Sequence, residues 1–170
     1  VPGSNQRALE KSRSLDADVL IFDFEDGVAP DRKEDARRQV TAALKAGGFK
    51  AERVIRINHP GTRLGAADLK TAAVSGCDAV LLPKVETAQE VRDAALRLAS
   101  AGAPSSMGIW CMIETPLGVL RVQDIAFPSP HLKCIVMGTS DLAKDLRARH
   151  TPDRLPVLTS LSLCVLAARA

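Results

Sequence analysis

Ile-Trp-Cys-Met-Ile-Glu, residues 109–114, is an uninterrupted apolar run that ends on a carboxylate. A short apolar run without polar alternation is typical of a strand that is buried on both faces, as in a parallel sheet. The chain contains four further runs of the same kind: Val19–Phe22, Val54–Ile57, Ala79–Leu82 and Cys134–Met137. The sequence therefore predicts five parallel strands.

Segments with a helical spacing of apolar or small residues lie between these runs. They are predicted at Asp31–Ala46, Ala66–Ser75 and Thr87–Ala101, and an apolar, helical stretch follows at Leu155–Ala170. The third is the clearest, because Thr87 followed by Glu90 is the capping-box pattern. Strands that alternate with helices predict the α/β class with right-handed crossovers.

Two α/β architectures fit this alternation, a doubly wound open sheet and a (β/α)₈ TIM barrel, and the polar residues at the strand ends decide between them. Such residues follow all five predicted strands, namely Asp23, Glu25 and Asp26, then Arg56 and Asn58, then Lys84 and Glu86, then Glu114, then Asp141. In a barrel every strand ends at the same mouth, whereas an open sheet concentrates functional groups at one switch point. We therefore expect a barrel.

The 170 residues are fewer than the roughly 250 of a full barrel, so we expect about five to six βα units. Residues 1–170 are predicted to form a single partial barrel domain, in which an earlier strand ends near Val1-Pro2-Gly3 and the C-terminal strands and lid are absent. A five-stranded partial barrel exposes two sheet edges. Self-association of the chain is therefore expected.

Composition excludes several classes of partner. The formal charge is only +3, and no stretch combines Lys/Arg with aromatic residues, so nucleic acid is not predicted as a partner. Apolar runs fall short of the roughly 18 residues that a membrane span needs, and no secretory signal is recognisable. We expect a cytoplasmic protein without a membrane partner.

Glu114 and Asp141 each follow an apolar strand directly, and the two strands are adjacent in the predicted sheet. Two carboxylates with few other ligands are how proteins commonly hold Mg²⁺. The alternative is that Glu114 caps the helix beginning at Thr115 and that Asp141 caps a helix over Leu142–Arg149. Spacing alone leaves both interpretations open.

Arg56 lies within a predicted buried strand, where a charge is costly unless it is paired. Its partner could be a substrate carboxylate or the acidic cluster Asp23–Asp26, and a purely structural ion pair is the alternative. Lys84 could contact a phosphate or act as a Schiff-base amine, although an ion pair with nearby Glu86 is the favoured interpretation.

Six motifs occur in a fixed order along the whole chain: Val1–Asn5, Asp23–Val28, Arg56–Asn58, Leu82–Glu86, Ile113–Pro116 and Gly138–Leu146. Together they resemble the citrate lyase β-subunit-like family of the HpcH/HpaI aldolase superfamily, which includes citryl-CoA, malyl-CoA and β-methylmalyl-CoA lyases. The resemblance implies a TIM barrel, Mg²⁺, and an enzyme that makes or breaks a carbon–carbon bond in a short 3-hydroxyacyl-CoA.

The resemblance also implies roles for individual residues. Glu114 and Asp141 match the metal carboxylates, and Glu114 also faces the substrate. Arg56 matches the arginine that binds the oxoacid and steadies the enolate oxygen, braced by Glu25 and Asp26, so these three form the expected catalytic set. Asn58 and Lys84 complete the substrate-binding set, and the segment Val1–Asn5, with Lys84, falls where the family holds CoA.

Acyl-CoA and a small oxoacid such as glyoxylate or oxaloacetate are the implied ligands, and a homotrimer or homohexamer is the implied assembly. The general base is expected beyond residue 170. Three alternatives remain: a (3S)-malyl-CoA-type thioesterase, a citrate lyase β subunit acting on an acyl-carrier thioester, and a non-catalytic scaffold.

Overall fold

The computed structural model describes residues 1–127 and 130–170 and contains five strands. They are β1 (Val19–Asp23), β2 (Glu52–Arg56), β3 (Ala79–Leu82), β4 (Gly108–Ile113) and β5 (Leu132–Met137). They form one sheet in the order β1-β2-β3-β4-β5, and every neighbouring pair is parallel. The predicted parallel α/β fold is confirmed, and the spatial order of the strands is their order in the chain.

Eight α-helices connect or flank the strands in the described residues: α1 (Gln6–Ser12), α2 (Lys33–Ala46), α3 (Arg63–Ala73), α4 (Ala88–Ser100), α5 (Pro116–Leu120), α6 (Val122–Ala126), α7 (Thr139–Asp145) and α8 (Leu158–Arg169). Short 3₁₀ turns precede α2 at Pro30–Arg32 and α8 at Leu155–Val157. In the part of the chain that the structure describes, no helix is both long and apolar enough to cross a bilayer.

Local capping chemistry sets two helix starts. The capping box of Thr87 and Glu90 is present at the start of α4, as predicted. Helix α3 begins at Arg63, three residues before the predicted start at Ala66, because the hydroxyl of Thr62 accepts a 3.0 Å hydrogen bond from the backbone N–H of Gly65. A side-chain acceptor at the N-cap satisfies one of the free N–H groups of the first turn.

The two faces of the sheet have different partners, which distinguishes the barrel from the doubly wound alternative. One face carries Phe22, Ile55, Leu82, Cys111 and other strand residues, and all eight helices contribute buried residues to the same core. The other face carries a separate cluster formed by strand residues alone: Val54, Ala79, Leu81, Trp110 and Met112, with Val19, Ile21, Cys134 and Val136 packed against them. Helices on one face only, with an inner layer of strand side chains, is the barrel arrangement.

The sheet is extended beyond β1 by the segment that was predicted to end an earlier strand. Pro2 forms a parallel bridge with Asp23, and the backbone N–H of Gly3 donates to the carbonyl oxygen of Asp23 at 2.9 Å. Five strands and this short pairing correspond to the expected five to six units. A second ion pair lies at the other end of the strands, where they begin. There, Nε and Nη2 of Arg53 donate to the carboxylate of Asp78 at 2.8 and 2.6 Å.

Candidate active site

Arg56, the last residue of β2, is held at the carboxyl edge of the sheet by the end of β1. Its Nε and Nη2 donate to the two carboxylate oxygens of Asp23 at 2.7 and 2.6 Å. Its Nη1 lies 3.1 Å from Oε2 of Glu25 and 3.9 Å from Oδ2 of Asp26. Such a two-point contact uses the planar shape of the guanidinium and fixes its orientation.

The Asp23–Arg56 pair is charged at ordinary pH. Burial by itself would raise the pKa of Asp23, but the hydrogen bonds from Arg56 and from the backbone N–H groups of Glu25 and Gly27 outweigh it and leave the pKa below its usual value. Asp23 is thus the main partner of Arg56, and Glu25 is its second partner. Asp26 is peripheral, since its side chain is 65% exposed.

Lys84 brings the ends of β1, β4 and β5 together. Its Nζ lies 3.1 Å from Oδ2 of Asp141 and 3.4 Å from Oε1 of Glu25, and its backbone N–H donates to Oε1 of Glu114 at 3.0 Å. The predicted ion pair with Glu86 is therefore wrong, because the ammonium contacts Glu25 and Asp141 instead.

The charge of Lys84 argues against a role as a Schiff-base amine. Burial lowers its pKa, but the hydrogen bond to Asp141 and the charges of Glu25, Glu114 and Asp141 outweigh that effect and raise the pKa above its usual value. An amine nucleophile must be neutral to attack a carbonyl. The residue instead supplies a fixed positive charge between carboxylates.

Neither Glu114 nor Asp141 caps a helix in the way the alternative interpretation required. Thr115 is the N-cap of α5, and its hydroxyl accepts from the backbone N–H of Gly118 at 3.0 Å. Helix α7 begins at Thr139 with Gly138 at the cap position, so Asp141 lies within its first turn. Helix capping therefore occupies neither carboxylate, and both are in contact with Lys84.

Gly138 has a direct part in placing Glu114. A Cβ at position 138 would lie 2.5 Å from both Cβ and Oε2 of Glu114. Only a residue without a side chain lets the turn after β5 approach the Glu114 carboxylate this closely.

The carboxylates fit a divalent cation that needs few protein ligands. Burial raises the pKa of Glu25 and of Glu114. Oε2 of Glu25 is buried and accepts no hydrogen bond, and its partner is the ion pair with Arg56. Within residues 1–127 and 130–170, no group of three or more His, Cys, Asp or Glu side chains is placed to hold a metal. Mg²⁺ is commonly held by one or two carboxylates while water and substrate oxygens complete its shell, so Glu114 and Asp141 suit it better than they suit zinc.

Asn58 is not brought to this cluster. Its side-chain Nδ2 donates to the carbonyl oxygen of Phe24 at 2.8 Å and to Oδ2 of Asp68 at 2.7 Å. Asp68 is fully buried and also accepts from Nη1 of Arg37 at 2.8 Å. This network, which the sequence analysis did not identify, lies beneath the loop between β1 and α2. The sequence feature that could have revealed this network is Asp68, a carboxylate on the apolar face of α3.

The segment Val1–Asn5 runs beside the site. After the bridge at Pro2, Asn5 caps α1 by accepting a 3.1 Å hydrogen bond from the backbone N–H of Ala8. The segment therefore lies next to Asp23 at the carboxyl edge of the sheet, and its contact with CoA stays a prediction.

The sheet is parallel with helices on one face, and an arginine, a lysine and carboxylates lie at the carboxyl ends of its strands. Barrel enzymes carry their active sites at this position. The profile of the HpcH/HpaI aldolase/citrate lyase family matches residues 1–170, and the chain belongs to this family. It is 44% identical over 171 residues to a (3S)-malyl-CoA thioesterase of Cereibacter sphaeroides strain KD131 and 36% identical over 176 residues to citrate lyase subunit beta of Escherichia coli K12. Each alignment covers 100% of this chain and 58% of the relative, so the chain spans little more than half the length of these relatives.

Solved structures give the same placement. The citrate lyase beta subunit of Mycobacterium tuberculosis complexed with oxaloacetate and magnesium superposes with a TM-score of 0.78 at 27% identity, over 99% of this chain and 71% of that one. The protein CitE of the same organism, in complex with magnesium, acetoacetate and coenzyme A, also has a TM-score of 0.78 at 27% identity, over 99% and 60% of the two chains.

Proposed function

We propose that the chain contributes the metal- and oxoacid-binding part of a Mg²⁺-dependent carbon–carbon lyase that acts on a short 3-hydroxyacyl-CoA such as malyl-CoA, β-methylmalyl-CoA or citryl-CoA. The observation that carries the proposal is the placement of Lys84 in contact with both Glu114 and Asp141, beside the Arg56 that Asp23 holds. The names of the solved relatives, with magnesium, oxoacids and coenzyme A, support it.

Glu114 and Asp141 are the proposed metal ligands, and the ion, when bound, would supply Lewis acidity toward a carbonyl oxygen. Arg56 would bind the carboxylate of the oxoacid portion and stabilise the negative charge that develops on the thioester oxygen. Glu25 would keep Arg56 and Lys84 in place. Lys84 and the segment Val1–Asn5 would contact the CoA portion.

The reaction breaks the bond between C2 and C3 of the 3-hydroxyacyl thioester. The electron pair of that bond stays on C2 and is delocalised onto the thioester oxygen as an enolate, the hydroxyl proton leaves to a base, and the hydroxyl carbon C3 becomes the carbonyl of the oxoacid. Protonation of the enolate completes the acyl-CoA product. Arg56 faces charge that is larger in the transition state than in the substrate, which is the condition for an electrostatic contribution to rate.

Hydrolysis of the thioester is the second candidate function, favoured by the 44% identity to a (3S)-malyl-CoA thioesterase. The same residues would bind the malyl group, and water would attack the thioester carbonyl. A citrate lyase β subunit acting on an acyl-carrier thioester is the corresponding candidate favoured by the 36% identity to citrate lyase subunit beta.

Product analysis tests these candidates on the purified protein with malyl-CoA and Mg²⁺. Carbon–carbon cleavage yields acetyl-CoA and glyoxylate, whereas hydrolysis yields malate and free CoA thiol. Glu114→Gln and Asp141→Asn should remove either activity, and Glu86→Gln is the matched control, since Glu86 lies near Lys84 outside the cluster. Activity that persists in Glu114→Gln would contradict the proposed metal site.

A binding assay separates the site from its chemistry. Mg²⁺ with oxaloacetate at about 100 times its Kd should stabilise the folded protein by about 2.7 kcal/mol, and this shift in melting should disappear in the Glu114→Gln, Asp141→Asn double variant. A non-catalytic scaffold would show no shift.

We further propose that the chain forms a single partial barrel domain, that it assembles as a homotrimer or homohexamer, and that it is cytoplasmic. Light scattering tests the assembly.

A further inference from the structure

Lys33, the first residue of α2, is a buried cation whose contacts are backbone carbonyl groups. The residue is 7% exposed, and its Nζ donates to the carbonyl oxygens of Phe24 and of Glu25, both at 2.7 Å. No carboxylate among the described residues forms an ion pair with it. Burying an ammonium is costly unless its donors are satisfied, so its position requires these two carbonyl groups to converge on it.

The two carbonyl groups belong to the loop that carries Glu25. The carbonyl oxygen of Phe24 also accepts from Nδ2 of Asn58, and the backbone N–H of Phe24 donates to the carbonyl oxygen of Arg56 at 2.8 Å. Asn58 is itself held by Asp68. The loop is therefore fixed from α2 by Lys33 and from the end of β2 by Asn58.

Other residues already anchor α2, so Lys33 is not needed to attach the helix. Ala36, Val40 and Leu44 are buried on one face of α2 within the main core. The ammonium contacts neither that face nor another helix through any hydrogen bond, and its two acceptors flank the side chain of Glu25. The hydrogen bonds hold the peptide groups on both sides of that residue.

We infer that Lys33 is a positioning residue: its buried ammonium fixes the peptide groups around Glu25, so that the Glu25 carboxylate stays against Arg56 and Lys84. Without the ammonium, each carbonyl oxygen would lose one of its two donors, because only Nδ2 of Asn58 would remain on Phe24 and only the backbone N–H of Val28 on Glu25. The loop would then shift to replace the lost hydrogen bonds. Glu25 would then leave its place 3.1 Å from Nη1 of Arg56 and 3.4 Å from Nζ of Lys84. The consequence for oxoacid binding rests on the proposed function, but the geometric inference does not.

Nuclear magnetic resonance of the arginine side chains tests the geometry directly. The Nη1–H signals of Arg56, the group that contacts Glu25, are identified by their loss in Arg56→Lys. They should shift or broaden in Lys33→Met, a change that removes the charge and keeps the apolar stem. The Nε–H signal of Arg53, which is bonded to Asp78 at the opposite edge of the sheet, is the internal reference and should stay unchanged. Lys45→Met, at an exposed position of the same helix, should leave both signals in place.

Oxoacid affinity provides the functional comparison. Oxaloacetate with Mg²⁺ should bind Lys33→Met about tenfold more weakly than wild type, the size of effect seen when the outer partners of a metal site are removed, and Lys45→Met should bind it normally. An unchanged Arg56 signal in folded Lys33→Met would overturn the inference, even if the melting temperature fell. If Lys33→Met does not fold, the signals of Arg56 and Arg53 are compared in Lys33→Gln instead, and the same outcomes decide.

The two proposals can fail separately. Absence of oxaloacetate binding in the wild-type protein would contradict the proposed function and leave the signal comparison to decide on Lys33. Normal binding in the wild type with an unmoved Arg56 signal in Lys33→Met would contradict the positioning role alone.

Discussion

Nζ of Lys84 lies 3.1 Å from Oδ2 of Asp141, so a side chain from the end of β3 reaches past the end of β4 to the first turn of α7. The backbone N–H of the same lysine donates to Glu114. Both proposed metal ligands thus contact one residue, and one of them is neutralised by its ammonium. The ammonium of Lys84 and a bound cation would therefore compete for the same carboxylates.

Gly138→Ala should weaken Mg²⁺ binding without touching a ligand. The new Cβ would lie 2.5 Å from Oε2 and Cβ of Glu114, so the carboxylate would have to move. We expect an affinity for Mg²⁺ at least about tenfold lower, because displacing a ligand by about 1 Å removes the geometry that Mg²⁺ requires. The measurement is the Mg²⁺-dependent shift in melting temperature.

The control for that variant is Gly108→Ala, at the other end of β4. Its added Cβ would lie 3.0 Å from the side chain of Lys133, far from the carboxyl edge. It should lower stability and keep the Mg²⁺ response. An equal loss of response in both variants would show that general destabilisation, and not displacement of Glu114, is responsible.

Asp23→Asn should destabilise the fold by about 3 kcal/mol at neutral pH, since breaking a largely buried ion pair leaves Arg56 without its main partner. The pKa of Asp23 is lower in the folded than in the unfolded state, so the unfolded chain binds more protons between the two values. The stabilising contribution is present above about pH 4 and is lost as the pH falls toward the folded-state value.

Urea unfolding between pH 3 and 7 measures this effect. The difference in unfolding free energy between wild type and Asp23→Asn should stay constant from pH 7 to about pH 4 and shrink below it. Glu52→Gln, an exposed carboxylate on β2, should track the wild type throughout. A difference that stays constant down to pH 3 would mean that Asp23 does not carry the lowered pKa.

Much of the sheet could be predicted because buried parallel strands are visible as apolar runs. Strand β3 was predicted with the observed bounds, since polar Asp78 precedes it and Pro83 follows it. Strand β5 begins at Leu132, two residues before the predicted start, because Lys133 interrupts the apolar run while Leu132 still pairs with Ile109. A polar residue on an edge strand conceals the boundary from any pattern based on hydropathy.

The site could be predicted less completely, because charged side chains can reach across the sheet in ways that spacing does not encode. The cluster Asp23–Asp26 was one of two partners that the sequence left open for Arg56. The dominance of Asp23 within it follows from its direct register with Arg56 in the parallel ladder. Lys33 resembled an ordinary surface residue at the start of a helix. Only the fold shows that its ammonium points at the loop after β1.

Alkylation should distinguish the four cysteines by their burial. Burial raises the pKa of Cys77 to about 11, of Cys111 to about 12 and of Cys164 to about 11, and the thiolate is the reactive form. Cys134, on β5, is only partly buried. At pH 8, iodoacetamide should modify Cys134 first, and the other three only after unfolding in urea.

Mass spectrometry of the digested protein identifies the modified residue, and Cys134→Ser should have no fast-reacting thiol. Rapid modification of Cys111 in the folded protein would contradict the burial of β4 against the helices.

Lys84→Met should change stability and metal affinity in opposite directions. Without metal, removal of the ammonium leaves Glu25 and Asp141 facing each other's charge, so the melting temperature should fall. The affinity for Mg²⁺ should rise by about fivefold, since a partly exposed ion pair that competes with the metal is worth about 1 kcal/mol. The backbone at position 84 has a φ of +50°, a conformation that Lys and Met tolerate equally, so the comparison isolates the charge.

Titration of Mg²⁺ against melting temperature measures both the stability and the Mg²⁺ affinity of Lys84→Met, with exposed Lys70→Met as the control. A lower affinity for Mg²⁺ in Lys84→Met would mean that the lysine organises the carboxylates for the metal and does not compete with it.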